Sequence, residues 1–411
     1  MLRGRRQSLR GTPPNPRASR LGSAVLVSLV LLGACGGNGD NKNKASEGGS
    51  TNGKKTVALG MVGALTGENA NLGVNIRDGI KVAIDEWNKK TQKYIYQLKE
   101  FDTQGDPAQA PSQKDKYIPD SSILGIVGPG FSGETKAVLP DLEQAGLVMI
   151  SPSATNAALP TVVPNGKVFH RIIPDDDVQA QGVSDYVVKV LKPKKVALIN
   201  DNTEYGKGLW GGVVKLLTAA GVDTSVTDSV DPKSQDFSAA VNKIKSGRVD
   251  MVFYGGYYSE AGRLKKQLTD AGVKAKFLSG DGSLDPGFIA SSGAAGGEGA
   301  LLTCPCRLAT TDLPGKGGDF AKSYKALNGR DPGTYSSEGY DAASIFIAGV
   351  EAGNDTRAKL LSYVGTLPSF DGVSKTIQFE ANGNVKAGDV FVYEVKGGKL
   401  TELGRTSELA K

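Results

Sequence analysis

The sequence predicts an α/β protein of two doubly wound, Rossmann-like lobes joined by a three-segment hinge. Three observations carry this. From residue 56 onward, short apolar runs alternate with amphipathic helical stretches, the pattern of parallel strands buried on both faces. The alternation restarts near Lys194, after a long connecting stretch. Helical patterns then recur well beyond the second set of strands, which implies a return to the first lobe.

The elements follow in order. A strand over 56–62 precedes a helix over 74–87, whose Ile76, Ile80, Ala83, Ile84 and Trp87 form one stripe. A strand over 94–101 and a helix ending near 117 lead to a strand over 122–127. The turn 128–133 opens a helix over 134–145, with Ala137, Val138, Leu142 and Ala145 on one face and Gly146 as its stop. The next strand, 147–150, ends in Ser151-Pro-Ser-Ala-Thr-Asn156. Because strand-helix-strand units are right-handed, both turns open on the same edge of the sheet, the edge where open α/β sheets bind ligands. Their hydroxyls and free N–H groups suit an anion such as a carboxylate.

Phe169-His-Arg-Ile-Ile-Pro174 carries the chain to the second lobe, with Asp175, Asp176 and Asp177 read as a solvated helix start. There, strands over 194–199, 222–230, 248–254 and 275–279 alternate with helices ending at 220, 244 and 271. The last strand empties into Gly280-Asp281-Gly282. Further on, helices fit 318–327, 337–352 and 356–364, and strands over 376–379 and 390–395 are expected to join through a hairpin-like turn at Ala381-Asn-Gly-Asn384. Crossings near 173, 305 and 384 divide the chain into 56–173 plus 305–383 and 174–304 plus 384–411.

Residues 1–34 read as a targeting segment: six arginines without an acid, then an apolar stretch over 21–32 too short to be a permanent span. Leu32-Gly33-Ala34-Cys35 resembles a bacterial lipobox, which implies cleavage before Cys35 and a lipid on its thiol. Arg5-Arg6 fits both a twin-arginine signal and an ordinary basic leader. Residues 35–55 are a flexible tether rich in Gly, Asn, Ser and Lys. Together they place the protein at the extracytoplasmic face of the cell membrane, lipid-anchored. The net charge of +6 belongs to the leader, since 49 bases less its six arginines leaves 43, matched by 43 acids. The basic pI is therefore no argument for nucleic acid, and no nucleic-acid partner is expected. Cys304 and Cys306, separated by one proline, are expected as unpaired thiols, because a bridge there closes a strained ring.

Gly128-x-Gly130-x-x-Gly133 fits the dinucleotide fingerprint, but no acid stands at the tip of the next strand and Pro129 removes an N–H. An enzyme is excluded on different grounds. The single histidine, His170, lies on the crossing and reads as structural, no metal-ligand cluster or P-loop is present, and Asp281 has no second acid converging on it. No cofactor or metal is expected.

With these elements placed, the chain resembles the periplasmic leucine/isoleucine/valine-binding proteins of ABC transporters, the type I periplasmic-binding-protein or Venus flytrap fold. The runs that carry the resemblance are Gly63-Ala-Leu-Thr-Gly67, Met149-Ile-Ser-Pro-Ser-Ala-Thr-Asn156, Tyr205-Gly-Lys-Gly208, Asp236-Phe-Ser-Ala239 and Tyr254-Gly-Gly-Tyr-Tyr258. The resemblance implies that Ser132, Ser153, Ala154 and Thr155 bind the α-groups of an amino acid. It implies that Tyr205 and Tyr257 close from the second lobe and that Asp281 faces the ammonium. Leu72 falls where some members place an aromatic, and Gly105 and Phe131 stand where some relatives have a disulfide. Read from the residues alone, Ser132 and Thr155 also suit helix caps, and Asp281 also suits a turn. Alternation lets one of Tyr257 and Tyr258 enter the cleft, and Tyr257 is the choice.

The expected function is therefore a monomeric solute receptor of an ABC importer. It would capture a small amino acid, with a branched chain fitting best, and deliver it to the permease's transmembrane subunits. A sensor for an amino acid, amide or aromatic acid is the alternative the same fold allows.

Overall fold

The computed structural model describes residues 53–386 and 388–411. The leader 1–34, Cys35 and the tether up to residue 52 lie outside the described residues. Among the described residues, no helix is long and apolar enough to cross a membrane.

The first set of elements is β1 (Lys55–Gly63), α1 (Ala70–Lys90), β2 (Tyr94–Asp102), α2 (Ala110–Tyr117), β3 (Ile123–Val127), α3 (Ser132–Ala145), β4 (Met149–Ser151) and β5 (Phe169–Arg171). The second runs α4 (Asp176–Tyr186), β6 (Lys195–Asn200), α5 (Glu204–Ala219), β7 (Asp223–Ser229), α6 (Ser238–Gly247), β8 (Met251–Gly255), α7 (Tyr258–Asp270), β9 (Lys276–Ser279), α8 (Pro286–Ser292), α9 (Ala294–Gly297) and β10 (Leu301–Cys304). The last set is α10 (Lys316–Asn328), α11 (Ser336–Glu351), α12 (Arg357–Gly365), β11 (Phe370–Asp371), β12 (Thr376–Ile377), β13 (Phe391–Lys396), β14 (Lys399–Arg405) and α13 (Thr406–Leu409).

Two sheets result. The first, in order β2-β1-β3-β4-β5, is wholly parallel. The second, β14-β13-β10-β9-β8-β6-β7, is parallel from β10 to β7 and antiparallel at β13 and β14. Runs such as Ile123–Val127 and Met251–Gly255 are buried at every position, as strands covered by helices on both faces must be. The helices α10, α11 and α12 pack on α1 and β3, against the first sheet. Helix α11 lies on α1 so closely that a Cβ on Gly79 would stand 2.0 Å from Ser336 O, and one on Gly339 would stand 2.5 Å from Ile76 O. Only glycine permits that approach.

Three expectations need correction. Cys304 and Cys306 are bridged, because the chain bends at Pro305 and leaves their Cα atoms 4.9 Å apart, within the span a disulfide tolerates. The crossing segment 169–174 is not merely a connector: Phe169–Arg171 is the edge strand of the first sheet, parallel to β4. Strands β12 and β13 do not form a hairpin with each other. β12 pairs with β11, whereas β13 lies between β10 and β14 in the second sheet. The turn between them closes on itself through Glu380 N–H to Asn384 O at 2.7 Å, and Gly383 O accepts from Arg171 N–H at 3.0 Å.

Candidate ligand-binding site

The carboxyl ends of β3 and β4 form one wall of a cavity. The turn after β3 and the loop after β4 bond to each other. Ser151 Oγ donates to Pro129 O at 2.7 Å, Ser153 Oγ to Gly130 O at 2.6 Å, and Asn156 N–H to Ser132 Oγ at 3.1 Å. Arg171, fully buried at the end of β5, donates to Ala154 O at 3.1 Å and Asn156 O at 2.8 Å, and its other nitrogens reach Asn384 and Asp175. A buried guanidinium that satisfies carbonyls holds the loop's peptide planes in one orientation.

The other wall comes from the second sheet. Asp281 follows β9 in a single 3₁₀ turn and is buried. Its Oδ1 accepts from Tyr205 OH at 2.7 Å, and its Oδ2 from Tyr335 OH. Tyr205 OH in turn accepts from Gly282 N–H at 3.0 Å. Tyr335 precedes α11 with φ of 68°, a left-handed conformation that bulky residues rarely adopt. Since α11 packs on the first sheet, the Tyr335–Asp281 bond joins the two lobes.

Across the cleft the rings of Phe131 and Tyr257 stack, 4.4 Å between centroids, with Tyr205 tilted against Tyr257 at 5.1 Å. The space they enclose with Leu72, Ser132, Ser153 and Asp281 has a free volume of about 10 Å³. Gly282 and Tyr335 complete it. That is roughly the room of one water molecule, so an amino acid enters only when the rings part.

Six of the eight residues singled out from sequence therefore line one cavity: Leu72, Ser132, Ser153, Tyr205, Tyr257 and Asp281. Ala154 and Thr155 stand behind them, buried in the same loop. Tyr258 does not line the cavity, but its hydroxyl accepts from Asn71 N–H across the cleft at 3.2 Å. Phe131 lines it as well, and so does Tyr335, which the sequence did not single out and which lies far from every strand tip along the chain.

The electrostatics correct the picture of Asp281 as an isolated acid. Asp176, read as solvated, is buried, and neither of its carboxyl oxygens has a hydrogen-bond partner among the described residues. Burial, with Asp281 adding to it, pushes its carboxyl well above the usual range. Of its neighbours, Asp177 is exposed and Asp175 is half-buried, capping α4 through Val178 N–H at 3.2 Å. Burial also raises Asp281, opposed by the hydrogen bonds from Tyr335 and Tyr205. Asp201, at the end of β6, is pushed up to about 7, chiefly by burial and then by Glu260. The hydroxyls of Tyr205, Tyr257 and Tyr335 are raised well above their ordinary value by burial, so they remain proton donors.

The periplasmic binding protein family matches residues 56–399. A Leu/Ile/Val-binding protein homologue from Brucella melitensis is 31% identical over 355 residues, 84% of this chain and 93% of its own. Among solved structures, the leucine binding protein LivK of Thermotoga maritima superposes with a TM-score of 0.78 at 26% identity, covering 85% of this chain and 98% of that one. The branched-chain amino acid transporter substrate binding protein LivJ of Streptococcus pneumoniae, solved with isoleucine, gives 0.77 at 24% identity over 85% of this chain and all of that one. With two α/β lobes facing one cleft and a family match across nearly the whole of them, the chain belongs to the periplasmic binding protein family.

Proposed function

We propose that this protein is the extracytoplasmic solute receptor of an ABC importer, that it captures a branched-chain amino acid between its lobes, and that it hands the ligand to the permease. The observation that carries the reading is Asp281: a buried carboxylate, reached by hydroxyls from both lobes, shares one cavity with the hydroxyl-bearing wall of Ser132 and Ser153. A zwitterion needs such a pair of ends, an acid for its ammonium and fixed N–H and O–H dipoles for its carboxylate. Leu72, Phe131 and Tyr257 leave an apolar region for the side chain. Relatives named for leucine, isoleucine and valine support the same class. The lobes are taken as 56–173 plus 305–383 and 174–304 plus 384–411. Residues 1–34 are taken as a cleaved leader and Cys35 as the lipid-bearing residue, so that Cys35→Ala would move the protein from the membrane to the soluble fraction of lysed cells.

A thermal-shift series tests the ligand. Leucine, isoleucine and valine should raise the unfolding midpoint, corresponding to about 2.7 kcal/mol at a hundred times Kd, and Asp281→Asn should abolish the shift. A shift obtained only with compounds lacking an α-ammonium would defeat the assignment.

A further inference from the structure

The two stacked rings occupy equivalent places in the two lobes. Phe131 immediately precedes α3 and Tyr257 immediately precedes α7. Each helix carries a glutamate at its third position, and each glutamate folds back onto the ring-bearing residue. Phe131 N–H donates to Glu134 Oε2 at 2.9 Å, and Tyr257 N–H to Glu260 Oε1 at 3.3 Å. Glutamate at this position is a common helix cap, normally on the surface and paired with a Ser or Thr that returns the bond. Here the residue before the helix is aromatic and returns nothing, and both glutamates are buried, 0% and 1% exposed. Neither forms an ion pair among the described residues. Their second oxygens are used as well: Thr103 Oγ1 donates to Glu134, while Ser259 Oγ and, at 3.4 Å, Asn69 Nδ2 of the opposite lobe donate to Glu260.

Burying a carboxylate without a cation is costly, and capping alone does not require it. What burial gives is a main-chain anchor for each ring, shielded from water on the side away from the cavity. We infer that Glu134 and Glu260 are positioning residues for ligand binding, each holding by a backbone N–H the aromatic residue that walls the cavity from its own lobe. The inference rests on the reading of that cavity as an amino-acid site.

The surroundings make the Glu134 anchor sensitive to protons. Asp102 faces it from the end of β2, Asp106 from the loop that follows, Tyr117 from α2 and Tyr257 from the second lobe, with no cation among them. Burial first, and these acids last, push its carboxyl up to about 7 against the pull of Thr103 and Phe131. Around Glu260 stand Asp201, Tyr254, Tyr257, Tyr258 and Arg263, and burial raises it too. An ionised Glu134 accepts from Thr103 and Phe131 with charge assistance; a protonated one loses that assistance.

Two measurements on the full chain test this. In amide spectra without ligand, the Phe131 N–H resonance should move upfield on acidification with a midpoint near that of Glu134, and Glu134→Gln should abolish the movement. In calorimetry with leucine, the ratio of the Glu134→Gln Kd to the wild-type Kd should rise from near one at about pH 5.5 to on the order of fivefold at about pH 8.5, because only the wild type gains the charge. A Phe131 resonance that does not titrate, or that still titrates in Glu134→Gln, overturns the inference, as does a Kd ratio constant with pH. Should wild type bind no amino acid, the ligand assignment falls and the amide titration alone decides the role of Glu134.

Discussion

Asp281 receives one hydroxyl from its own lobe and one from the other, so removing either donor takes a hydrogen bond from a buried carboxyl oxygen. Tyr335→Phe changes no volume and should cost about 1–3 kcal/mol in urea unfolding. It should also weaken leucine binding, because the lobes lose a bond that forms only when they meet. Two other residues should shape the dependence of stability on pH. His170 is buried against Phe379, and burial lowers it to about 4 from an ordinary 6.5. Its contribution is complete above pH 6.5 and is lost as pH falls toward 4. Glu134 works in the opposite sense, its contribution complete below about 4.5 and lost as pH rises through 7. Each amounts to about 3 kcal/mol. Chemical unfolding from pH 4 to 8 should show His170→Gln flattening the acid limb and Glu134→Gln flattening the neutral one. At this scale the sequence is informative only where chemistry follows a strand directly. Asp281, Ser132 and Tyr257 sit at strand ends, whereas Tyr335 owes its place to α11 packing on α1 and to a left-handed backbone that its neighbours do not announce.

The loop after β4 depends on an element that sequence pattern conceals. Phe169–Arg171 is only three residues long and has no alternation to mark it as a strand, so it reads as a connector. Its pairing with β4 carries Arg171 under the loop, where the guanidinium serves four partners at once. Arg171→Gln should therefore cost about 3–5 kcal/mol, measured by urea unfolding, and should weaken ligand binding even in the folded fraction. Lysine at this position should not restore it, since an ammonium cannot reach partners spread in a plane. The longer helices and the fully apolar strands were legible because each repeats a period over many residues. The turn expected at 381–384 does fold the chain back, with Phe379 bridging Val385 antiparallel, but it does not join β12 to β13, because turn chemistry is local while strand partners are not: β13 finds its neighbours in β10 and β14.

On the scale of the whole molecule, two α/β lobes with mostly parallel sheets were legible from the alternation of apolar runs and helical stripes and from its restart near Lys194. Neither lobe is made from one continuous stretch. The first sheet is covered by α10 to α12, and the second is extended by β13 and β14. Lobes knitted together in this way should unfold in one transition, with fluorescence from Trp87 on α1 and Trp210 on α5 giving coincident urea midpoints. Two separate midpoints would show lobes that melt independently. The same interlacing sets a timetable for the newborn chain. When its first three hundred residues have emerged, α1 still lacks the helix that covers it and β9 the strand beyond it, an exposed edge and a bare apolar face. Such a polypeptide must wait, half-dressed and prone to sticking, until its final hundred residues arrive.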